Sequence, residues 1–210
     1  MTVRDNPWKS ISPEDYEGHM SSPAVNQLGF LSDCFRRCLQ TYSPRNVAVI
    51  GCGTGNGLEH IETTCTTRTT VVDMNPAFLE VLRSRYAARI SGLEIVEGDL
   101  LQCELPGEYS LIFGGLVFEF VPYKKLLRRV AEWLTVDGIF SVVLQLPNSN
   151  LPDVSDTRFE RLKTLNQIVQ LVDVPQFIQH CVQLQLHQID DCVQTLNSGK
   201  SFYIGTFQKL

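Results

Sequence analysis

The run Val47-Ala-Val-Ile-Gly51-Cys-Gly53-Thr-Gly55-Asn-Gly57 decides the fold. Its first four residues are apolar, as in a strand buried on both faces of a sheet. Four glycines at alternate positions follow, and glycine lets a backbone turn sharply and approach a ligand closely. Open α/β sheets bind ligands at the carboxyl ends of their strands, so the run predicts a strand, a ligand loop and a helix. A tight turn without a ligand would need fewer glycines.

The spacing of these glycines argues against a dinucleotide or a nucleoside triphosphate. In the pattern G-x-G-x-x-G, the third glycine would have to stand at residue 56, 58 or 60, and these are Asn56, Leu58 and His60. No Gly-Lys-Ser/Thr follows either, so the loop is not a phosphate-binding P-loop. The remaining pattern is G-x-G-x-G.

Between residues 46 and 147, short apolar runs alternate with helical patterns, which predicts a parallel sheet covered on both faces. The further strands are expected at 69–72, 93–96, 110–113 and, after the turn Asp137-Gly138, 139–144. Helices are expected after the glycine loop, where Leu58 and Ile61 are at helical spacing, and around residues 79–86 and 126–134.

The two ends of the chain follow other patterns. Residues 1–45 predict a short helix beginning at Ser12-Pro13 and a long one beginning at Ser22-Pro23 and ending near Ser43. Residues 148–210 predict a polar loop, helices over 159–169 and from Pro175, and a β-hairpin around Asn197-Ser-Gly-Lys200. We therefore expect one domain, 1–210. It consists of a helical lid (1–45), a ligand-binding core (46–147), and helices with a β-hairpin that completes the sheet (148–210).

Four landmarks in this order resemble class I S-adenosylmethionine-dependent methyltransferases. They are the loop Gly51-Cys-Gly53-Thr-Gly55, Asp73 at the end of the second strand, Gly98-Asp99-Leu100 after the third, and Tyr109-Ser-Leu-Ile-Phe113-Gly-Gly115. Val130–Gly138 is similar to the family's helix–turn–strand that follows. The resemblance covers about residues 45–147. It implies an α/β, doubly wound, mostly parallel seven-stranded sheet with a C-terminal antiparallel hairpin and an N-terminal helical lid.

The resemblance also implies S-adenosylmethionine as cofactor and assigns residues to it. Asp73 would accept from the ribose hydroxyls, Asp99 would accept from the adenine amino group, and Met74 would pack on the ring. The amino-acid end would lie against the glycine loop and the Gly114-Gly115 backbone. The full predicted set is Gly51, Cys52, Gly53, Gly55, Asp73, Met74, Asp99, Leu100, Gly114 and Gly115.

Methyl transfer from a sulfonium needs mainly alignment and exclusion of water, so no strong catalytic motif is required. An oxygen acceptor would also need a general base. Its candidates are Glu119, which follows the fourth strand, and Tyr16 and His19 in the lid; Tyr123 is a further candidate. The remaining histidines show no metal-ligand spacing, and we expect no metal site.

Composition narrows the acceptor. The 210 residues carry a net charge of −5, which disfavours a nucleic-acid or membrane partner. The chain also lacks the Asn/Asp-Pro-Pro-aromatic and Pro-Cys motifs of enzymes that methylate nucleobases, so a small molecule is the expected substrate. Seven cysteines without a CxxC pair and a start without an apolar h-region predict reduced thiols in the cytoplasm.

Two other functions stay open at this point. Val49 and Ser110 stand where the family often has acids, which would suit a non-catalytic module that only binds S-adenosylmethionine. A nucleotide-dependent oxidoreductase is the other alternative, and the failed G-x-G-x-x-G frames disfavour it.

Overall fold

A seven-stranded sheet organises the computed structural model, which describes residues 6–210. Its strands are β1 (Asn46–Ile50), β2 (Arg68–Asp73), β3 (Leu93–Glu97), β4 (Tyr109–Gly115), β5 (Leu134–Gln145), β6 (Leu186–Thr195) and β7 (Ser201–Lys209). Their order is β3-β2-β1-β4-β5-β7-β6. The first five run parallel, and β7 is antiparallel to both β5 and β6. This arrangement confirms the fold class predicted from the sequence.

Five α-helices accompany the sheet within the described residues: α1 (Pro13–Ser21), α2 (Gln27–Tyr42), α3 (Pro76–Tyr86), α4 (Tyr123–Trp133) and α5 (Val174–Gln183). Alternate side chains of β1 divide between the two faces, as the two-residue period of a strand requires. Val47 and Val49 pack in one core with residues of α2 and α3, whereas Ala48 and Ile50 pack in a second core with α4 and α5.

A third, smaller core joins the amino-terminal segment to the segment after β5. It contains Ile11, Phe78, Val154, Leu162 and Leu165. Because Phe78 belongs to α3, which begins just beyond the carboxyl end of β2, this core holds both segments over the carboxyl edge of the sheet. That edge is where the glycine loop lies.

The α-helix expected after the glycine loop is not formed, so this prediction was wrong. Only one turn of 3-10 helix forms there, over Leu58–His60. Neighbouring elements hold the segment in another shape: Asn56 donates to the carbonyl of Leu28, and the Glu59 carboxylate accepts from the Gly57 amide and from Ser32. These hydrogen bonds, two of which join the segment to α2, outweigh the helical spacing of the apolar residues.

Three boundaries also differ from expectation. The long helix begins at Gln27, because Ser22 ends α1 and Asn26 is left-handed at φ 53°. The segment near 159–169 is a 3-10 helix over Glu160–Gln167. Asp137 does not precede its strand but lies inside β5 with φ 60°, a conformation that Asp tolerates better than most residues.

Asn75 connects the sheet to the amino-terminal segment and supplies a stability test. Its Oδ1 accepts from the amides of Ala77 and Phe78, capping α3, while its Nδ2 donates to the carbonyls of Trp8 and Ile11, each at 2.8 Å. Asn75→Ala removes both functions, and we expect it to lower the free energy of unfolding by about 2–4 kcal/mol.

Asn75→Ser is the matched variant, because serine caps a helix as well as asparagine but lacks the two amide donors. We expect it to recover about 1 kcal/mol of the loss, measured by urea unfolding. Equal stability of both variants and the parent protein would show that these hydrogen bonds do not secure the segment.

Candidate functional site

A continuous cleft follows the carboxyl edge of the sheet beneath the amino-terminal segment. Its empty volume, including the open mouth, is about 1170 Å³. Residues at five strand ends form its floor, including Gly51, Asp73, Asp99, Gly115 and Gln145. Its roof comes from α1, with Tyr16 and His19, and from the 3-10 helix Glu160–Gln167, with Leu162.

Seven of the ten residues predicted to bind a cofactor line this cleft: Gly51, Gly53, Asp73, Met74, Asp99, Leu100 and Gly115. The other three lie beneath its wall. Cys52 is buried, Gly55 faces Tyr86 and Leu82, and Gly114 faces Phe118 and Ile50. The structure therefore gives these three residues packing roles next to the cleft, and no group on them is exposed to it.

Asp73 fixes the shape of the glycine loop. Its Oδ2 accepts from the Gly53 amide and its Oδ1 from the Asn75 amide, both at 2.9 Å. Burial raises the pKa of this carboxyl, and the amide hydrogen bonds oppose the rise. Each oxygen keeps a second lone pair, so the carboxylate can accept further hydrogen bonds from a ligand in the cleft.

Gly53 shows why the loop needs glycine. It has φ 54°, and a Cβ at this position would lie 2.9 Å from Oη of Tyr16. Any larger residue would displace the tyrosine, which also packs on Phe78 with 4.9 Å between ring centroids. The loop and the helix above it are therefore in direct contact.

Asp99 stabilises the turn after β3. Its Oδ1 accepts from the Leu101 amide at 2.8 Å, while Leu100 is buried beside the cleft. The carboxylate thus has a local structural partner and is at the same time part of the cleft wall.

Glu17 fastens α1 over the loop. Its Oε1 accepts from Oγ1 of Thr54 at 2.6 Å, and the Arg85 guanidinium of α3 contacts both carboxylate oxygens, at 2.5 and 3.1 Å. The hydrogen bond from Arg85 is the main cause that lowers the pKa of Glu17. A carboxylate of the lid thus contacts both the glycine loop and the sheet's neighbouring helix.

Glu119 is the buried carboxyl of the cleft. It is 2% exposed, and its Oε1 accepts from the Gln145 amide at 2.7 Å while Oε2 has no hydrogen-bond partner. Burial raises the pKa of Glu119 from 4.5 to about 7. A carboxyl with one free oxygen and such a pKa can exchange a proton near neutral pH.

The other candidate bases differ in place and in pKa. His19 also lines the cleft, with Nδ1 2.9 Å from Oγ1 of Thr157, and burial together with the charge of Lys200 lowers its pKa to about 4. Burial and the charge of Asp73 raise the pKa of Tyr16, which covers Gly53. Tyr123 is not part of the cleft wall and pairs with His180.

Lys200 and Gln145 are functional candidates that the sequence did not reveal. Lys200 is 3% exposed and lines the cleft, where its Nζ donates to the Asp153 carbonyl at 2.5 Å and to Oε1 of Gln145 at 3.3 Å. Burial lowers the pKa of Lys200 to about 8. A lysine in a hairpin turn is usually solvated, and only the pairing of β7 with β5 brings this one to the site.

Val49 and Ser110 lie away from the cleft. Ser110, at the opposite end of β4, exchanges two hydrogen bonds with the Asn46 backbone, at 3.0 and 3.1 Å. Val49 is buried in the core against α2. Because neither residue lines the cleft, the absence of an acid at these two positions removes no charged group from the cleft wall.

Comparison with known proteins finds a family model that matches the stretch containing the glycine loop. Residues 47–138 match the model of a family described as "Methyltransferase domain". No curated protein matches the chain in sequence. Within residues 6–210, no helix is long and apolar enough to cross a bilayer, and no three His, Cys, Asp or Glu side chains cluster as metal ligands would.

Solved structures share the whole fold at low identity. The N-methyltransferase NodS from Bradyrhizobium japonicum WM9 in complex with S-adenosyl-L-homocysteine has a TM-score of 0.64 and 18% identity, over 99% of this chain and 93% of that one. Magnesium protoporphyrin IX methyltransferase from Synechocystis PCC 6803 gives 0.65 and 12%, over 88% and 85%. The cyclase SpnF gives 0.67 and 11%, over 85% and 80%.

The Glu17–Arg85 ion pair generates a prediction about the lid. Both side chains are partly exposed, so a double-mutant cycle of Glu17→Gln and Arg85→Gln should give a coupling energy of about 0.5–1 kcal/mol. Folding lowers the pKa of Glu17, so this contribution is complete above its ordinary value of 4.5 and is lost as the pH falls below it. Urea unfolding at pH 7 and pH 3 measures both effects, and a coupling that is unchanged at pH 3 would contradict the assignment.

Proposed function

We propose that this chain, whose residues 47–138 match the methyltransferase family model, transfers a methyl group from S-adenosylmethionine to a small-molecule acceptor. One observation carries the proposal. A single cleft joins the glycine loop and Asp73 to the buried carboxyl of Glu119, one of whose oxygens has no partner, so a cofactor and an acceptor can lie in one cleft.

The residues of the floor suit the cofactor in the order of the strands. Leu100 and Asp99 after β3 would hold the adenine, Asp73 of β2 the ribose, and the backbone of Gly51, Gly53 and Gly115 the amino-acid end. Adjacent strands are about 4.8 Å apart, so these positions span roughly 14 Å of sheet edge from β3 to β4. When bound, S-adenosylmethionine supplies a methyl group attached to a positively charged sulfur. A nucleophile can attack the methyl carbon and displace the sulfur.

Glu119 is the general base of the proposed reaction. Its Oε1 is held by the backbone amide of Gln145, and the buried Oε2, which has no hydrogen-bond partner, is the oxygen that would take the proton of an acceptor hydroxyl. A base works best when its pKa is near the operating pH, and the pKa of about 7 meets this condition. His19, with a pKa of about 4, is the weaker base at neutral pH.

Aromatic side chains and the lid exclude water from the site. Trp8 contacts Phe120 edge-on, with 5.0 Å between ring centroids, and reaches towards Tyr16 at 6.2 Å. With the Glu17 contacts they connect the lid, the loop after β4 and α3. Such enclosure favours displacement by the aligned acceptor over reaction with water.

The proposed acceptor is small because the cleft is roofed, and the net charge of −5 argues against a nucleic acid. All seven cysteines, which lie within residues 6–210, are unpaired thiols. This supports a reducing compartment, and we propose the cytoplasm.

Calorimetric titration with S-adenosylmethionine, S-adenosylhomocysteine and NADH tests the cofactor. We expect binding of the first two and none of the third, because no dinucleotide pattern accompanies the loop. Binding of NADH alone would favour an oxidoreductase. Release of S-adenosylhomocysteine in the presence of small acceptors then separates an enzyme from a module that only binds the cofactor.

Asp73 supplies a prediction for binding. Asp73→Ala should weaken S-adenosylhomocysteine binding by about 1–3 kcal/mol, because charged hydrogen bonds to the ribose are lost. Asp73→Asn is the control, since it keeps an oxygen acceptor without the charge and should lose less. An unchanged dissociation constant in both variants would place the ribose elsewhere.

Glu119 supplies a prediction for turnover. Glu119→Gln should lower kcat by about 10²–10⁴-fold, the usual contribution of a general base, with little change in S-adenosylhomocysteine affinity. In the parent protein, the rate should rise with pH through about 7, because the base acts when deprotonated. Retention of that pH dependence in Glu119→Gln would assign the base to another group.

A further inference from the structure

Lys200 is a buried charge that the proposed reaction does not use. It lines the cleft, is 3% exposed, and donates two of its three N–H bonds, to Asp153 O and Gln145 Oε1. Among the described residues it forms no ion pair. Burying a cation without a counter-ion is costly, so a neutral side chain would hold this turn more cheaply.

The groups that face Lys200 leave its charge largely uncompensated. Glu119 accepts from the backbone amide of Gln145 and forms no ion pair with Lys200, and His19 is neutral because its pKa is about 4. The Asp153 carboxylate attracts the ammonium, but its side chain is exposed to solvent. A negatively charged ligand group in the cleft would complete this arrangement.

The position of Lys200 along the sheet separates it from the cofactor residues. Residues at the ends of β3, β2, β1 and β4 line the part assigned to the cofactor. Gln145 ends β5, and Lys200 precedes β7, which pairs with β5 through Gln145 and Phe202. β7 is two strands beyond β4, roughly 10 Å along the edge, so Lys200 lies at the end of the cleft that is left for the acceptor.

We propose that Lys200 binds a carboxylate of the acceptor, which makes the acceptor a small carboxylic acid that carries a separate hydroxyl or amino group. This inference rests on the proposed function. The nucleophilic oxygen or nitrogen forms a bond to the methyl carbon, the carbon–sulfur bond breaks with its electrons going to sulfur, and the proton of the nucleophile goes to Glu119. The carboxylate held by Lys200 serves recognition.

Matched pairs of probes test the inference on protein saturated with S-adenosylhomocysteine. The pairs are 4-hydroxybenzoate with 4-hydroxybenzamide, anthranilate with anthranilamide, and 4-hydroxyphenylacetate with its amide. Each pair differs in the charge that Lys200 would recognise. Calorimetry and the shift in Tm should show at least one acid binding about tenfold or more tightly than its amide, as a hydrogen bond to a charged group implies.

Substitutions then assign the preference to this side chain. Lys200→Gln keeps a donor to the Asp153 carbonyl but removes the charge, so the preference for the acid should disappear while S-adenosylhomocysteine affinity stays within about twofold. Lys200→Arg should keep the preference. Lys125→Gln, the same change at an exposed lysine of α4, is the control.

The outcomes show whether Lys200 binds a carboxylate of the acceptor or the carboxylate of the cofactor. If Lys200→Gln weakens S-adenosylhomocysteine instead, the lysine binds the cofactor's own carboxylate and the inference is overturned. It is also overturned if no acid binds more tightly than its amide to the parent protein, whether or not Lys200→Gln folds. If the parent protein binds no S-adenosylhomocysteine, the proposed function itself fails.

Discussion

The Asp73 carboxylate is the group on which the geometry of the site depends. One oxygen holds the Gly53 amide of the loop after β1, and the other holds the Asn75 amide at the start of α3. Asn75 in turn holds the backbone of the amino-terminal segment. A single half-buried carboxylate thus connects two strand ends, a helix and, through its neighbour, the lid. Each carboxylate oxygen holds a backbone amide and keeps a lone pair for a ligand, so the loop is held in shape at the point where a ligand would approach it.

Much of the fold could be predicted from the sequence because the central strands are buried on both faces. Runs such as Val47–Ile50 allow few other structures, and Asn75-Pro76 starts α3 by local capping alone. The segment after the glycine loop could not be predicted in the same way. Its apolar spacing fits a helix, but its shape is set by Leu28, Ser32 and Tyr86, which are remote in sequence.

The site residues divide in the same way, into those that local sequence reveals and those that it does not. Asp73 could be found from its place after a strand, and Glu119 from its place after β4. The burial of Glu119 could not be predicted, because it depends on tertiary contacts such as the hydrogen bond from the Gln170 amide to the backbone carbonyl of Glu119. Lys200 could not be found, since nothing local distinguishes a buried turn lysine from a solvated one. The relatives in fold, at 11–18% identity, include both methyltransferases and a cyclase. The fold thus accounts for the cleft and does not by itself specify the reaction.

The single 3-10 turn over Leu58–His60 has an electrostatic consequence. A full α-helix starting at the glycine loop would direct its unpaired amides and the positive end of its dipole at a ligand, the arrangement that attracts a pyrophosphate. Here no such helix follows the loop, and the Gly53 and Gly57 amides are already taken by Asp73 and Glu59. The loop therefore offers little positive potential. It lacks the unpaired helix amides that bind a pyrophosphate, and we propose that it accommodates a nucleoside whose charge is carried on sulfur and an amino acid.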